Sequence, residues 1–247
     1  MRNGALGTMA SSVSDLSRPL AVNHILVHLD LSHNQMDCLA TALLATTLCS
    51  NSSLQQLFLS HNRIGPNGGR HVAQALKSNK TLVLLDLSYN PLGPSGTSCV
   101  GMSLNFNTSV TTLLLRGNRG GNVVAAFVAE AIKRQGTVIG HGVYGVHVAP
   151  VVPQLVQHGP LLSRSSLTHV DLSENDITDV GAQALVRALQ RNPSIKSLDL
   201  DKNDIEIALF DSIRVLTRRA ADTARQEGAH ALASDERTLS SDTVRIL

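Results

Sequence analysis

The sequence predicts an α/β solenoid in which strand–turn–helix units stack with parallel strands on the concave face and helices on the convex face. Three observations predict it. The string Leu-x-x-Leu-x-Leu-x-x-Asn recurs every 28 residues, closing at Asn34, Asn62 and Asn90 and, with Val110 as its first residue, at Asn118. Within each unit the apolar spacing passes from the two-residue period of a strand to the three-to-four-residue period of a helix. The chain is 43% apolar with four Phe, two Tyr and no Trp, which gives the aliphatic core that small repeated units need.

The elements follow in order. Residues 1–25 hold Leu16, Leu20 and Asn23, which match only the helical end of a unit, so this segment reads as a partial repeat or cap. Residues 26–206 read as repeats. Their strand residues are Leu26, Leu29 and Leu31; Leu54, Leu57 and Leu59; Leu82, Leu85 and Leu87; Val110, Leu113 and Leu115; Leu167, Val170 and Leu172; and Ile195, Leu198 and Leu200. Asn118 and Asn175 are 175 − 118 = 57 residues apart, which predicts one further unit, degenerate and fifth of seven, at about 138–166. There His141 stands for a core Leu, Val146 stands for the Asn, and Pro150, Pro153 and Pro160 interrupt the helical half. Residues 207–227 read as a capping helix with Leu209, Ile213 and Leu216 inward, and residues 228–247 as a loose tail.

The unit beginning at Leu167 shows the physical logic. Leu167, Val170 and Leu172 point inward, and Asn175 satisfies backbone groups where the chain turns. Ile177 packs inward, Thr178 or Asp179 offers an N-cap, and Val180 to Arg191 forms a helix with Ala184, Leu185, Ala188 and Leu189 on its inner face. Ile64, Gly68, Val72 and Leu76 repeat the same template. Each unit is too small to bury its own apolar face, so neighbours stack and their strands pair in parallel.

This string, joined to a Gly-x-x-x-Val/Leu-x-x-x-Leu helix in 28-residue units, resembles the ribonuclease-inhibitor-like leucine-rich repeats over about Leu26 to Leu216. The resemblance implies a right-handed α/β horseshoe and a protein-binding role with no fixed partner.

Composition narrows the function. A formal net charge of +2, from 21 basic and 19 acidic residues, gives no field for sequence-independent binding of nucleic acid or a membrane. No apolar run reaches the ~18 residues of a membrane span. The N-terminus lacks a secretory signal pattern. Cys38, Cys49 and Cys99 have no paired spacing and read as buried free thiols in a reducing, cytoplasmic compartment. Asn51, Asn79 and Asn107 match the glycosylation triplet, yet each stands three residues before a first strand residue and reads as a loop residue of the repeat. Phosphate-binding, nucleophile-elbow and zinc-hydrolase motifs are missing, so no catalytic residue and no cofactor is predicted.

The predicted interaction site lies on the concave strands. Phe58, Leu84, Tyr89, Leu114 and Arg116 combine exposed apolar, aromatic and guanidinium groups, the composition of contact hot spots. His33 and His61 stand in the column of Tyr89, about 4.8 Å apart by strand spacing. A metal held by this pair needs a third ligand, Asp30 or His28, and the pair reads as surface histidines. The Asp30, Asp86, Asp171 and Asp199 column reads as a solvated structural stripe. The predicted function is a non-enzymatic scaffold that binds another protein, within a larger assembly, with cytoskeletal or ciliary association as one setting. The alternatives are a GTPase-activating protein of the Ran type, a cytoskeletal or axonemal structural component, and a blocker of a basic enzyme, which the net charge disfavours.

Overall fold

The computed structural model describes residues 8–134 and 167–241. Six three-residue strands, β1 (His28–Asp30), β2 (Gln56–Phe58), β3 (Leu84–Asp86), β4 (Thr112–Leu114), β5 (His169–Asp171) and β6 (Ser197–Asp199), form one parallel sheet in chain order. Seven helices alternate with them: α1 (Thr8–Val22), α2 (Cys38–Ser50), α3 (Pro66–Ser78), α4 (Gly93–Ser103), α5 (Gly121–Arg134), α6 (Asp179–Arg191) and α7 (Ile207–Ser241). Neighbouring helices pack along the other layer. Helices are about 10 Å wide and strands about 4.8 Å apart, so the helical layer takes the outside of the curve.

The core lies between the layers. The middle leucine of β2, β3 and β4, Leu57, Leu85 and Leu113, is fully buried, and so are Leu59, Leu87 and Leu115 two residues on; Val170 takes the same place in β5. Burying one such side chain stabilises by about 1.5–3 kcal/mol. α3 and α4 approach so closely that a Cβ on Gly69 would lie 2.9 Å from the Gly96 backbone, so glycine is required there.

Two asparagine ladders hold the turns. On the strand side, Asn62 Nδ2 donates to the carbonyls of Leu31 and Leu59 while its Oδ1 accepts the amides of Asn34 and Met36. Asn90, Asn175 and Asn203 bridge adjacent units in the same way. Asn118 makes the donor half of the pattern, but its Oδ1 is buried without a partner. The cause lies one unit earlier, where Pro91 follows Asn90 and the Leu92 amide turns back to the Asn90 carbonyl. On the helix side, Asn51, Asn79 and Asn107 are buried, and each Nδ2 donates to two carbonyls of the preceding unit. Their amide nitrogens are therefore engaged inside the fold, in keeping with the loop reading of these triplets.

Four sequence expectations change. The sheet passes directly from β4 to β5, with Leu113 beside Val170, so no strand of the predicted fifth unit stands between them. α5 packs against α6, and Asn192 Nδ2 reaches the Ile132 carbonyl across that joint. The features assigned to 138–166, including His141, Val146 and the three prolines, fall outside the described residues. The helix expected to end at residue 227 continues to Ser241, in place of a loose tail from 228. The thiols are free but not buried, since Cys49 is exposed and Cys38 and Cys99 are half-buried. Finally, Thr178 is the N-cap residue of α6 as expected, but its side chain makes no capping bond; Asn122, at the start of α5, accepts the amides of Thr178 and Gly181 instead.

Candidate concave interaction surface

Strand alternation sends the first and third residues of each strand to the concave face and the middle one into the core. Register fixes the neighbours. Phe58 stands beside Asp30 and Asp86, Leu114 stands beside Asp86 and Asp171, and Leu84 stands beside Gln56 and Thr112. Phe58, Leu84 and Leu114 are half-buried, and they surround Asp86 rather than forming one unbroken patch. The Phe58 ring is braced by His28, with centroids 4.9 Å apart, and His28 Nδ1 lies 3.0 Å from Gln56 Oε1.

The aspartates of this column are turn residues. Asp30, Asp86, Asp171 and Asp199 each accept the backbone amide two residues ahead, at 2.8–3.0 Å. Hydrogen bonds from Ser32 hold the Asp30 carboxyl below its ordinary range. The stripe is thus built into the strand ends, and one oxygen of each carboxylate is already occupied.

The second group forms a ladder of rings and charges along the residues that precede each asparagine. His33 stacks on His61 at 4.4 Å and 10°, and His61 stacks on Tyr89 at 4.4 Å and 19°. All three adopt positive φ, as do Glu174 and Lys202 in the same column. Gly117 interrupts the side chains, and it has to: a Cβ there would lie 2.6 Å from Tyr89 Cδ1. Tyr89 crosses that gap, and its hydroxyl lies 3.4 Å from Glu174 Oε1. Arg116 lies against the Tyr89 ring at 5.8 Å and donates to Glu174 at 2.8 Å, and Lys202 donates to the same oxygen at 2.8 Å. The Lys202 and Arg116 donors hold Glu174 down to about 2, and Glu174 in turn raises Arg116.

The predicted residues therefore fall into two sets. Phe58, Leu84 and Leu114 present half-buried apolar surface, with the Phe58 ring against His28. His33, His61, Tyr89 and Arg116 are bound into a ladder that ends on Glu174 and Lys202. Glu174 and Lys202 precede Asn175 and Asn203 in the same column, but a repeat count that includes the degenerate fifth unit places that unit between them and Tyr89. Among the described residues, no group of three or more His, Cys, Asp or Glu side chains is arranged to hold a metal ion. No described helix is long and apolar enough to cross a membrane.

Comparison with protein-family models agrees with this architecture. A family model described as "Leucine Rich repeat" matches residues 22–37, 50–73, 78–101, 164–186 and 191–206. These segments carry β1, β2, β3, β5 and β6; the unit of β4 lies outside the matches although its strand and helix follow the same order. Among solved structures, the chain is similar to leiomodin-1 actin-binding site 2, with 14% identity, a TM-score of 0.49, and coverage of 94% of this chain and 99% of that one. It is also similar to a Caenorhabditis elegans tropomodulin C-terminal domain, with 9% identity, a TM-score of 0.49, and coverage of 90% and 98%. With the repeat matched at five strands and the sheet, core and asparagine ladders continuous through a sixth, the chain is an α/β leucine-rich-repeat solenoid.

Proposed function

We propose that this chain is a non-enzymatic protein-interaction scaffold that receives a partner protein on its concave face, and that its repeats are of the ribonuclease-inhibitor-like subtype. The 28-residue period and the α-helix between successive strands support the subtype. The observation that carries the binding role is the placement of Phe58, Leu84 and Leu114. Three half-exposed apolar side chains stand on strands whose backbones are fixed by the sheet and the asparagine ladder, so they present contact area at little cost in ordering. An intracellular setting, with cytoskeletal association as one form of it, is in keeping with the free thiols. A GTPase-activating role has less support, because the guanidinium of Arg116 is already engaged by Glu174.

The test is a pull-down from native lysate that compares wild type with a Phe58→Ala, Leu84→Ala, Leu114→Ala variant, after their melting curves have been matched. Loss of a specific protein from the variant is the expected result. Retention of every wild-type partner would move the site off this face, and capture of a small GTPase whose hydrolysis the chain accelerates would replace the scaffold reading.

A further inference from the structure

The two layers of the solenoid carry opposite charge. β1, β3, β5 and β6 each end on an aspartate, and none of the six strands holds a Lys or Arg. The helices between them are basic on balance, with Arg70 and Lys77 on α3, Lys133 and Arg134 on α5, and Arg187 and Arg191 on α6, against Glu130 and Asp179. Arg116 and Lys202, at the turns beyond the strands, are bound to Glu174. A formal net charge of +2 therefore conceals a concave sheet whose own charges are all negative.

Asp86 differs from the other aspartates of that sheet. Its strand neighbours are Phe58 and Leu114, and Leu84 lies two residues before it on the same face. Within this apolar frame the carboxylate is half-buried, and one oxygen accepts the Ser88 amide at 2.8 Å. The ion pairs among the described residues belong to Glu174, Glu130 and Asp222, so none of them reaches Asp86. Asp30 has company: the Ser32 side chain and amide bond to it, and His28 and His33 act on its charge. Asp171 acts on Arg116, and Asp199 stands beside Asp171 with no apolar strand neighbour.

We propose that Asp86 is the anchor of the concave surface, and that the partner segment it receives carries a lysine or arginine between two apolar residues. The assignment rests on the concave face being the binding surface and adds the chemistry of the occupant. A partner that covers the frame strips water from the second carboxylate oxygen, which is unfavourable unless a cation takes the place of that water. The frame also strengthens the pair, because Phe58, Leu84 and Leu114 keep solvent from it. Phe58 and Leu114 each stand one strand spacing, about 4.8 Å, from Asp86, so the apolar residues of the occupant fall on either side of its cation. An acidic segment is repelled by the same carboxylate, and a wholly apolar one leaves it buried without a partner.

The test selects a phage-displayed library of random dodecapeptides on the full chain and measures the recovered peptides by fluorescence anisotropy. They are expected to share a Lys or Arg with apolar residues on both sides and to bind at least about tenfold more weakly to Asp86→Asn. Asparagine keeps an acceptor for the Ser88 amide, so the melting curve of that variant is expected to be unchanged. Asp199→Asn, outside the frame, is expected to cost less than about twofold, the size of a screened effect at a distance. Peptides that need Phe58, Leu84 and Leu114 but carry no cation, or that bind Asp86→Asn as tightly as wild type, would overturn the anchor and leave the concave reading standing. Equal losses at Asp86 and Asp199 would also overturn it, in favour of a diffuse field. Peptides indifferent to the Phe58→Ala, Leu84→Ala, Leu114→Ala variant, or no enrichment at all, would sink the concave reading and the anchor with it. Binding that tightens about tenfold when residues 135–166 are replaced with Asn-Lys-Thr would show that this chain covers the site itself, and would overturn the assignment to a partner.

Discussion

The joint between β3 and β4 and the joint between β4 and β5 have the same geometry but unlike spacing in the chain. In the first, Leu85 stands beside Leu113, 28 residues on; in the second, Leu113 stands beside Val170, 57 residues on. Both are parallel, both bury their central residues, and both carry an asparagine that links the units. The difference teaches that a repeat joint is set by what each unit presents to its neighbour. The length of chain that separates the units does not enter. Asn175 bonds to the Leu115 carbonyl, 60 positions away, as Asn90 bonds to the Leu59 carbonyl, 31 away, with distances of 2.8 and 2.9 Å.

If the two kinds of joint are equivalent, removing the same amide from each costs the same. Asn175→Ala and Asn62→Ala each delete a buried side chain that bonds to several backbone groups, and each is expected to lower unfolding free energy by about 2–4 kcal/mol in urea titrations. A cost at Asn175 below half that at Asn62 would show the long joint to be the weaker one.

The charge ladder crosses the same joint and gives a pH signature. Glu174 is held near 2, below its ordinary carboxylate value, so its contribution to stability is fully present above the unfolded value of about 4.5. It is lost as pH falls toward 2. The difference in melting temperature between wild type and Glu174→Gln is expected to be constant from pH 7 to pH 5 and to shrink below that. A difference that held steady to pH 2.5 would mean that Lys202 and Arg116 do not act on Glu174 in solution.

The smallest effect is expected from the chain between the joints. α3 and Leu82 are connected by Asn79, Lys80 and Thr81, so replacing residues 135–166 with Asn-Lys-Thr is expected to leave stability within about 1 kcal/mol. Loss of cooperative unfolding in that variant would show that the β4–β5 joint depends on the replaced residues.

Most of the fold was legible because its signals are periodic. Leu29, Leu57 and Leu85 recur at one spacing, so each confirms the others, and so do Asn51, Asn79 and Asn107. The candidate surface was half legible. Phe58, Leu84 and Leu114 stand out as apolar residues at outward positions, and strand alternation alone finds them. The engagement of Tyr89 and Arg116 was not legible. It depends on Glu174 being the next side chain beyond Gly117, and a count of residues placed another unit there. Thr178 is the N-cap residue of α6 as read, but the acceptor for its first-turn amides was not legible, since Asn122 lies 56 positions before Thr178 and only stacking brings them together.

By itself the sequence determined the unit: a strand with inward leucines, an asparagine that turns the chain, and a helix with small residues where it meets its neighbour. These are local requirements, set by side-chain period and by the need to satisfy backbone groups at a buried bend. Only the tertiary structure decided which units touch. Adjacency depends on burial across the joint, so it can skip a stretch of chain and seat Tyr89 against Glu174.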